Sequence, residues 1–330
     1  MTKKFLSIIG AAGFVGSYLR EELNNSGIEF QAFDKNNIYN SKEIRYLDIE
    51  DQHSLKQLSN TSTLINLAAV HRDDIKPISK YDDINVQGAK NTCIAAENFG
   101  INKIIFISSV AVYGFAPANT DETGEPNYFN DYGRTKYLAE NVYKEWFYKD
   151  PDSRSLVIIR PTVIFGEGNR GNVYNLLNQV SKKRFVMIGS GNNLKSMAYV
   201  RNVVAFIKYC TNINDGFHVY NYVDKPDLDM NSFLILIRKK LFNKENVGIR
   251  LPYFFGAIIG KIFDLLSNLS GYKFPISSIR IEKFVKTTQF NTSIGNTDFQ
   301  APFKLDEALE RTLDYEFISK IDDKKEFYTE

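Results

Sequence analysis

The sequence contains few of the residues that build metal centres and disulfide frameworks. Its 330 residues include three histidines, which lack metal-ligand spacing, and two cysteines, Cys93 and Cys210. Each cysteine lies in an apolar run of helical character, which is typical of a buried thiol in a reducing compartment. We therefore expect no metal site and no disulfide.

A strong net charge and a long apolar run are also missing. The chain carries 41 basic and 39 acidic residues, and its net charge of +2 gives no overall field that would favour nucleic acid as a partner. The N-terminal stretch MTKKFLSIIGAAG has a basic start and an apolar part. That part is only about half as long as a membrane span and runs into a glycine turn. We interpret it as the first strand of a cytoplasmic protein.

What the sequence does contain is an alternation of strand-like and helical segments. The strand-like runs are rich in Ile, Leu, Val and Phe, as strands buried on both faces of a parallel sheet are. They cover 4–10, 28–34, 63–69, 103–109 and 155–161, and helical patterns cover 14–25, 51–59, 79–99 and 131–149. This order predicts an α/β fold with a Rossmann-type, doubly wound parallel sheet and right-handed crossovers.

A glycine cluster lies between the first strand and the first helix. Gly10, Gly13 and Gly16, in GAAGFVG, allow a pyrophosphate to approach the backbone at the helix N-terminus. Asp34 closes the second strand, where a carboxylate accepts both ribose hydroxyls of an adenosine and repels a 2′-phosphate. An aspartate in a simple strand-end turn is the alternative, and the neighbouring Lys35 weakens the case against NADP. The pattern favours NAD as the cofactor.

The character of the chain changes beyond about residue 165. There the alternation weakens, Gly and Asn become frequent, and an aromatic-rich, basic, helical region follows. An apolar content of 43% suffices for one large domain with a lobe, or for two domains. We predict an NAD-binding Rossmann domain over 1–165, to which 198–225 returns, and a smaller C-terminal lobe over 166–330 that mostly binds substrate.

Tyr132 and Lys136 are spaced four residues apart in a predicted helix, so they share one of its faces. A free tyrosine has a pKa of about 10 and is a poor base. The Lys136 ammonium and the positive charge of oxidised nicotinamide both favour the phenolate. Ser109, at the end of a predicted strand, can hold the same substrate hydroxyl. In this dehydrogenase half-reaction Tyr132 removes the hydroxyl proton while the carbon gives hydride to NAD. The alternative is that Tyr132 and Lys136 are an ordinary pair of side chains on a surface helix.

Five motifs occur in a characteristic order: GAAGFVG, NLAA at 66–69, SSVAVYG at 108–114, YGRTK at 132–136 and RPTVIFG at 160–166. In these motifs the chain resembles the extended short-chain dehydrogenase/reductases, the NAD-dependent epimerase/dehydratase family that acts on nucleotide sugars. The resemblance implies the remaining cofactor contacts: Asp48 and Ile49 at the adenine, Phe14 and Val15 in the glycine motif, Leu67, Ala68 and Ala69 along the cofactor, and Pro161 to Val163 near the nicotinamide.

The same resemblance narrows the reaction type. Dehydratases of this family carry an Asp-Glu pair directly after the catalytic hydroxyl residue, whereas this chain has Val110 and Ala111. Dehydration is therefore disfavoured. A 4-epimerase and a 4-keto reductase use the same Ser109, Tyr132 and Lys136, and the chemistry of these residues leaves both open.

A closer resemblance favours epimerisation. The strings are HRDDIKPISKYDDINVQG (71–88), IRPTVIFGEGNRGNVYNLLNQ (159–179), KSMAYV (195–200), VYNYVDKPDLDMN (219–231) and KTTQFN (286–291). They are similar to those of family members that convert N-acetylglucosaminyl-diphospho-undecaprenol into its N-acetylgalactosaminyl epimer for O-antigen and related lipopolysaccharides. Soluble 4-epimerases of UDP-N-acetylglucosamine and 4-keto reductases share several of these strings and remain alternatives. A non-catalytic NAD-binding sensor or scaffold is a further alternative, although such proteins generally lose the tyrosine or the lysine.

The C-terminal half contains a basic, apolar region that fits a lipid-linked substrate. Ten Lys or Arg stand against three acids between Arg238 and Lys286. Within this region, 251–271 is apolar but interrupted by Lys261 and Asp264, so it is a poor membrane span and a fair amphipathic helix. We expect peripheral attachment at the inner face of the cell membrane. The alternative is a helix packed within the lobe or on a homodimer partner.

Candidate substrate contacts lie in two loops, in addition to Ser109. Arg170 and Asn172, in GNRGNVYN, are candidates for the diphosphate, although a loop without a ligand would have the same composition. His71 and Arg72 are candidates for the sugar. An ion pair of these two residues with Asp73 or Asp74 is the alternative.

Overall fold

Parallel strands flanked by helices make up the first two thirds of the chain. The computed structural model describes residues 4–36, 41–72, 75–272, 277–320 and 324–328. The strands are β1 (Phe5–Ile9), β2 (Phe30–Asp34), β3 (Ile44–Tyr46), β4 (Thr61–Asn66), β5 (Lys103–Ile107), β6 (Ser155–Pro161), β7 (Val163–Phe165), β8 (Met187–Ile188), β9 (Leu194–Lys195), β10 (Met197–Tyr199), β11 (Phe217–Tyr222), β12 (Leu228–Asp229) and β13 (Arg250–Leu251).

The helices follow the strands as expected for crossover connections. They are α1 (Phe14–Asn25), α2 (Ser79–Tyr81), α3 (Gly88–Phe99), α4 (Asp131–Tyr148), α5 (Asn172–Ser181), α6 (Val200–Cys210), α7 (Met230–Phe242), α8 (Tyr253–Ser270), α9 (Ser278–Val285) and α10 (Leu305–Leu313). Shorter helical turns are the 3₁₀ segments Ser54–Asn60, Val110–Tyr113 and Ser293–Asn296 and the π segments Asp82–Gln87 and Asp314–Ile318.

The central sheet has seven strands in the order β11-β6-β5-β4-β1-β2-β3. Every neighbouring pair is parallel. The strand order reverses between β1 and β4, and in doubly wound sheets this switch point is where ligands bind. The predicted Rossmann-type fold is confirmed. Each of the five predicted strand runs overlaps a strand of this sheet.

The predicted helices are confirmed with one adjustment. Helix α1 coincides with the predicted 14–25, and α4 covers 131–148 of the predicted 131–149. The predicted 79–99 forms α2, a π segment and α3 without a break. In place of the predicted helix over 51–59 the structure has a seven-residue 3₁₀ segment, Ser54–Asn60, which is longer than most connectors of this kind.

Two apolar layers cover the two faces of the sheet, because successive residues of a strand point in opposite directions. Ile8 and Ile65 face the layer that contains α1 and α6, while Ile9 and Leu64 face the layer that contains α3 and α4. Cys210 and Cys93 lie in these two layers as buried free thiols, as predicted. Burial raises the pKa of both thiols.

The C-terminal half contributes to both parts of the molecule. Strand β11 pairs with β6, and α6 packs against α1, so segments within 198–225 lie against the central sheet. Helices α5, α7, α8 and α9 lie with the short strand pairs outside this sheet. The domain limits proposed from the sequence stay a prediction.

Candidate active site

The glycine motif forms a tight backbone turn at the switch point of the sheet. Gly10 has φ +83°, and a Cβ on it would lie 2.8 Å from the Ala68 nitrogen. A Cβ on Gly16 would lie 2.2 Å from the Gly10 oxygen, so α1 begins directly against the turn. Gly13 is the N-cap of α1 in extended conformation. These glycines leave the space beside the helix N-terminus that a pyrophosphate requires, and the residues present therefore fit a dinucleotide.

The carboxylate of Asp34 lies beside this turn. Its Oδ2 accepts a hydrogen bond of 2.9 Å from the Ala12 nitrogen, and its Oδ1 accepts one of 2.8 Å from the Asn36 nitrogen. Burial raises the pKa of Asp34, and these backbone hydrogen bonds and Arg20 oppose that rise. The arrangement presents a carboxylate at the end of β2, where an adenosine ribose would lie.

Lys35, next to Asp34, forms ion pairs with two other acidic residues. Its ammonium lies 2.7 Å from both the Asp48 and the Glu50 carboxylates. The hydrogen bonds that this ammonium donates to the two carboxylates raise the pKa of Lys35. The positive charge of Lys35, which weakened the case against NADP in the sequence, is therefore paired with two carboxylates. One carboxylate oxygen of Asp48 pairs with Lys35, and the other accepts a hydrogen bond of 3.0 Å from the Glu50 nitrogen. The predicted contact of Asp48 with the adenine stays a prediction.

The other predicted cofactor residues surround the same crevice. The Leu67 nitrogen donates to the Ile9 oxygen at 2.9 Å, and the Ala68 nitrogen donates to Asn66 Oδ1 at 3.0 Å, which closes the end of β4 against the glycine turn. Ala69 follows and is half-buried. Ile49 is buried against Gly88, where a Cβ would lie 2.6 Å from its Cδ1.

Four further cofactor candidates differ in exposure. Phe14 is buried, and its ring contacts those of Tyr18 and Phe327, so any contact with a dinucleotide would come from its backbone. Val15 is half-buried beside it. Pro161 ends β6 and is buried, whereas Val163 is 40% exposed at the carboxyl edge of the sheet. An apolar side chain exposed at this edge is consistent with a ligand contact.

Ser109 and the first turn of α4 are packed directly together. Ser109 caps the 3₁₀ segment that follows β5, and its Oγ accepts from the Ala111 nitrogen at 3.1 Å. Asn130 caps α4 and accepts from the Gly133 nitrogen at 2.9 Å. A Cβ on Gly133 would lie 2.4 Å from the Ala111 oxygen, so only glycine allows this approach. Tyr132, next to Gly133, is half-buried in the same place.

Lys136 lies one helical turn further along α4 and is buried. Its Nζ donates to the Ile107 oxygen at 2.6 Å and lies 4.7 Å from the centre of the Phe106 ring. Burial lowers the pKa of Lys136 to about 7, against an opposing effect of Glu140. The structure thus places Ser109, Tyr132 and Lys136 near the carboxyl end of β5, and their catalytic roles stay a prediction.

Sequence reasoning missed a buried polar network behind this group. Glu140 is fully buried and binds Arg160 through two hydrogen bonds, of 2.8 and 2.6 Å. Ser108 Oγ donates to Glu140 at 2.6 Å, and Arg160 donates to the Tyr113 hydroxyl at 2.6 Å. Tyr113 in turn donates to Asn221 at 2.9 Å. One signal was available in the sequence: Arg160 is a single charge within the otherwise apolar run SLVIIRP.

A second missed residue, Asn85, joins the loop after β4 to α4. Its side-chain oxygen accepts from the Val70 nitrogen at 2.8 Å, and its side-chain nitrogen donates to Thr135 Oγ1 at 2.9 Å. Nearby, Arg134 of α4 makes two hydrogen bonds with Asp82, of 2.9 and 2.6 Å. The helix that carries Tyr132 and Lys136 is therefore fixed by polar contacts from a neighbouring helical segment.

The substrate candidates are placed differently. Arg170 is buried and forms ion pairs with Glu316 at 2.9 Å and Glu326 at 2.8 Å. Its guanidinium also lies 4.1 Å from the centre of the Tyr174 ring. These contacts fasten the C-terminal segment to the protein and argue against the predicted diphosphate contact, because the guanidinium is already neutralised. Asn172 is exposed at the start of α5, and its role stays a prediction.

His71 and Arg72 lie in the loop that follows β4, and the Arg72 oxygen accepts from the Tyr81 hydroxyl. Asp73 and Asp74, their alternative partners, lie outside the described residues. The proposed sugar contacts of His71 and Arg72 therefore stay predictions.

Together, the glycine turn, the carboxylate at the end of β2 and the Tyr-Lys pair define a dinucleotide-dependent enzyme of the short-chain dehydrogenase/reductase class. Residues 6–222 match the NAD dependent epimerase/dehydratase family. The chain belongs to this family, and NAD is its cofactor.

Two curated relatives span most of the chain. One, from Escherichia coli O157:H7, is N-acetyl-alpha-D-glucosaminyl-diphospho-ditrans,octacis-undecaprenol 4-epimerase; it is 49% identical over 321 residues, which cover 96% of each chain. The other is a UDP-glucose 4-epimerase from Vibrio cholerae, which is 28% identical over 81% of this chain and 86% of its own.

Solved structures share the fold. MoeE5 in complex with UDP-glucuronic acid and NAD has a TM-score of 0.73 at 21% identity and covers 94% of this chain and 98% of its own. The UDP-glucuronic acid 4-epimerase of Bacillus cereus in complex with NAD has a TM-score of 0.70 at 18% identity and covers 94% and 97%. At these identities the likeness concerns the fold alone.

Proposed function

We propose that the protein is an NAD-dependent 4-epimerase that interconverts N-acetylglucosaminyl- and N-acetylgalactosaminyl-diphospho-undecaprenol, for the synthesis of O-antigen or a related surface polysaccharide. The observation that carries this proposal is the 49% identity, over nearly the whole of both chains, to a relative with that name. The geometry of Ser109, Tyr132 and Lys136 supports it, because these three residues supply what a 4-epimerase requires.

The chemistry assigned to the chain is proton transfer at the C4 hydroxyl. Ser109 holds this hydroxyl, and Tyr132 removes its proton and later returns it. Lys136 stabilises the phenolate through its charge and binds the nicotinamide ribose. Bound NAD supplies a reversible two-electron acceptor at C4. The resulting 4-keto sugar must rotate in the pocket so that reduction occurs on its other face.

Dehydration does not fit the same site. Val110 and Ala111 follow Ser109 in the 3₁₀ segment, and their hydrocarbon side chains carry no acid or base. A 4-keto reductase would use the same three residues, and the 4-epimerase relative is what favours epimerisation over reduction.

The test is to incubate purified protein in parallel with the lipid-linked N-acetylglucosaminyl diphosphate and with UDP-N-acetylglucosamine, and to identify the hexosamine released by mild acid. We expect galactosamine from the lipid-linked sugar without net consumption of a reduced nucleotide. Steady oxidation of NADH or NADPH in step with product would indicate a 4-keto reductase. Turnover of the UDP-sugar alone would indicate a soluble epimerase, and no turnover despite bound NAD would indicate a sensor or scaffold.

The described residues also support a contact with the membrane surface. Helix α8 packs on the lobe through glycines: a Cβ on Gly256 would lie 2.5 Å from Ile188, and one on Gly260 would lie 2.8 Å from Ser278. Ile259 and Phe263 are half-buried, but most of its large apolar side chains are exposed: Tyr253, Phe254, Phe255, Ile258, Ile262, Leu265, Leu266 and Leu269. A helix packed into the lobe core would instead bury its large apolar side chains and expose its polar ones.

The charges of this region are arranged around that apolar face. Asp264, which interrupts the apolar run in the sequence, accepts hydrogen bonds from the nitrogen and hydroxyl of Ser278 at the start of α9. Lys261 is exposed on α8. Throughout the described ranges, no helix combines the length and apolar character needed to cross a bilayer. Peripheral attachment through α8 and its basic surroundings, at the inner face of the cell membrane, completes the proposal. The homodimer stays a prediction.

A further inference from the structure

Two exposed phenylalanines form an ordered pair on the loop between Ser109 and α4. The rings of Phe115 and Phe129 are stacked, with centroids 4.8 Å apart and an interplanar angle of 25°. Their side chains are 49% and 48% exposed. Exposed single aromatic residues are common, but a stacked and accessible pair is a ready apolar binding surface.

A lysine lies over each ring. The Lys283 Nζ lies 4.4 Å from the centre of Phe129, and the Lys286 Nζ lies 5.1 Å from the centre of Phe115. Lys286 also pairs with Glu282 at 2.6 Å, a pair in which both side chains are half exposed. An ammonium group has three donors, so a lysine that contacts a ring can still bind an anion. We refer to Phe115, Phe129, Lys283 and Lys286 as the aromatic–lysine platform.

The protein holds the two halves of this platform together. The Asn119 nitrogen donates to the Gln289 oxygen at 2.9 Å, and Thr120 forms a parallel bridge with Phe290, so the loop is fastened to the segment after α9. On the other side, Lys195 Nζ donates to the carbonyl oxygens of Lys283 at 3.0 Å and Lys286 at 2.6 Å. The end of α9 is thus fixed where its lysines meet the phenyl rings.

The platform also lies close to the proposed catalytic residues. Phe129 directly precedes Asn130, the cap of α4, and follows Tyr128, whose Cβ would lie 3.0 Å from a Cβ on Gly133. Gly133 is adjacent to Tyr132. The same loop begins at Gly114, at the end of the 3₁₀ segment that Ser109 caps.

We propose that the aromatic–lysine platform binds the junction between the diphosphate and the isoprenoid chain of the substrate. The ammonium groups of Lys283 and Lys286 pair with diphosphate oxygens, and the phenyl rings contact the first isoprene units. This inference rests on the proposed function and adds a specificity site to it. A nucleotide sugar offers a ribose and a base beyond its diphosphate, whereas an isoprenoid offers a branched hydrocarbon that suits the exposed parts of the two phenyl rings.

The position of α9 connects this site with the proposed membrane contact. Lys283 lies in its last turn, Lys286 is its C-cap, and its first residue, Ser278, is hydrogen-bonded to Asp264 of α8. One short helix therefore connects the platform to α8. An isoprenoid chain that leaves the platform along α9 runs toward the helix proposed to meet the bilayer.

The experiment uses a short-chain isoprenyl diphosphate-linked N-acetylglucosamine that is soluble without membranes, and measures KM and kcat separately. We expect the double variant Phe115→Ser/Phe129→Ser to raise KM at least about tenfold with kcat nearly unchanged, because lost apolar contacts weaken ground-state and transition-state binding equally. The double variant Lys283→Gln/Lys286→Gln should lose inhibition by inorganic pyrophosphate. Tyr148→Ser and Lys149→Gln, at the far end of α4, are the matched controls, and NAD binding confirms that each variant folds.

The outcomes separate this inference from the proposed function. If the wild-type protein does not turn over the isoprenyl substrate, the proposed function fails. If it does and both double variants keep wild-type KM and pyrophosphate inhibition, the platform is not a substrate site. If the variants lose affinity for anionic vesicles while KM for the soluble substrate stays constant, the platform belongs to the membrane contact and the inference is overturned.

Discussion

Helices α4 and α8 both have eighteen residues, yet they depart in opposite ways from the usual pattern of buried apolar and exposed charged side chains. Helix α4 buries charged side chains, with Lys136 and Glu140 at 3% and 0% exposure. Helix α8 exposes apolar ones, with Phe254 and Leu269 at 67% and 77%. Charged residues are rarely buried, and large apolar residues are rarely exposed together on one face.

Each departure is compensated in a different way. In α4 the buried charges are satisfied within the protein: Lys136 by the Ile107 carbonyl and the Phe106 ring, and Glu140 by Arg160. In α8 the apolar residues of the exposed face are 40–77% exposed in the described structure, and among them Phe254 and Phe255 contact each other, while its glycines pack against the lobe. The protein's own contacts therefore account for α4, whereas the exposed face of α8 is explained only by the proposed membrane contact. Four experiments test this contrast.

The largest effect is expected at the start of α4. Replacing Tyr132 with Phe removes the proposed base but keeps the ring, so turnover should fall by roughly 10²–10⁴-fold, as is typical when a general base is lost. NAD binding and the folding transition should be retained. Tyr148→Phe, at the exposed end of the same helix, is the control and should keep full activity. Near-normal turnover by Tyr132→Phe would contradict the assigned mechanism.

The second experiment removes the buried acid of α4. Glu140→Ala leaves the Arg160 guanidinium buried without its carboxylate, and removal of one partner from such a pair costs about 3–5 kcal/mol. Urea denaturation should show this loss in the free energy of unfolding, whereas Glu145→Ala, exposed on the same helix, should change it by less than about 0.5 kcal/mol. Because two apolar partners restore much of the loss, Glu140→Leu/Arg160→Met should be more stable than Glu140→Ala. Equal stability of Glu140→Ala and Glu145→Ala would mean that the network does not hold α4.

The third experiment uses the pH dependence of stability. Burial lowers the pKa of Lys136 to about 7, whereas an unfolded lysine titrates near about 10.4. Between these values the unfolded chain binds more protons than the folded one, so the contribution of Lys136 to stability rises with pH. The unfolding free energy of the wild type minus that of Lys136→Met should therefore increase from pH 7 to pH 9, by at most about 1.4 kcal/mol per pH unit. Lys149→Met, at the surface, gives the background trend, and a parallel trend for both variants would exclude a lowered pKa of Lys136.

The smallest effect is expected at α8. Replacing Phe254, Phe255 and Ile258 with serine removes part of the exposed face, and each fully buried apolar side chain contributes about 1.5–3 kcal/mol. With partial insertion we expect at least about a tenfold loss of affinity for anionic vesicles, measured by sedimentation, and slower turnover of the lipid-linked sugar.

The control for α8 replaces exposed apolar residues elsewhere. Tyr46, Ile94 and Tyr148 are 59%, 42% and 62% exposed, and their replacement with serine should leave vesicle binding unchanged. NAD binding should be intact in both triple variants. Unchanged vesicle binding of the α8 variant would assign the exposed face to another partner, such as a second copy of the chain.

Much of the site could be predicted because its signals are local. A glycine turn between a strand and a helix, an acid at the next strand end and a Tyr-Lys spacing of four residues each depend on short stretches of chain. The unpredicted parts depend on distant residues. Glu140 and Arg160 are twenty positions apart and meet only after β6 joins the sheet, and Arg170 meets Glu316 and Glu326 across the fold.

The sequence alone predicted the Rossmann-type fold, five of the seven strands of its sheet and most of the crossover helices, because hydrophobic periodicity and backbone sterics act over a few residues. It also determined that α8 is amphipathic. Only the tertiary structure decided which face of α8 is covered, since that depends on Gly256 and Gly260 meeting Ile188 and Ser278. It likewise decided that Arg170 is an ion-pair partner within the fold. Such contacts join residues far apart in the chain, and burial and charge pairing are properties of the packed molecule.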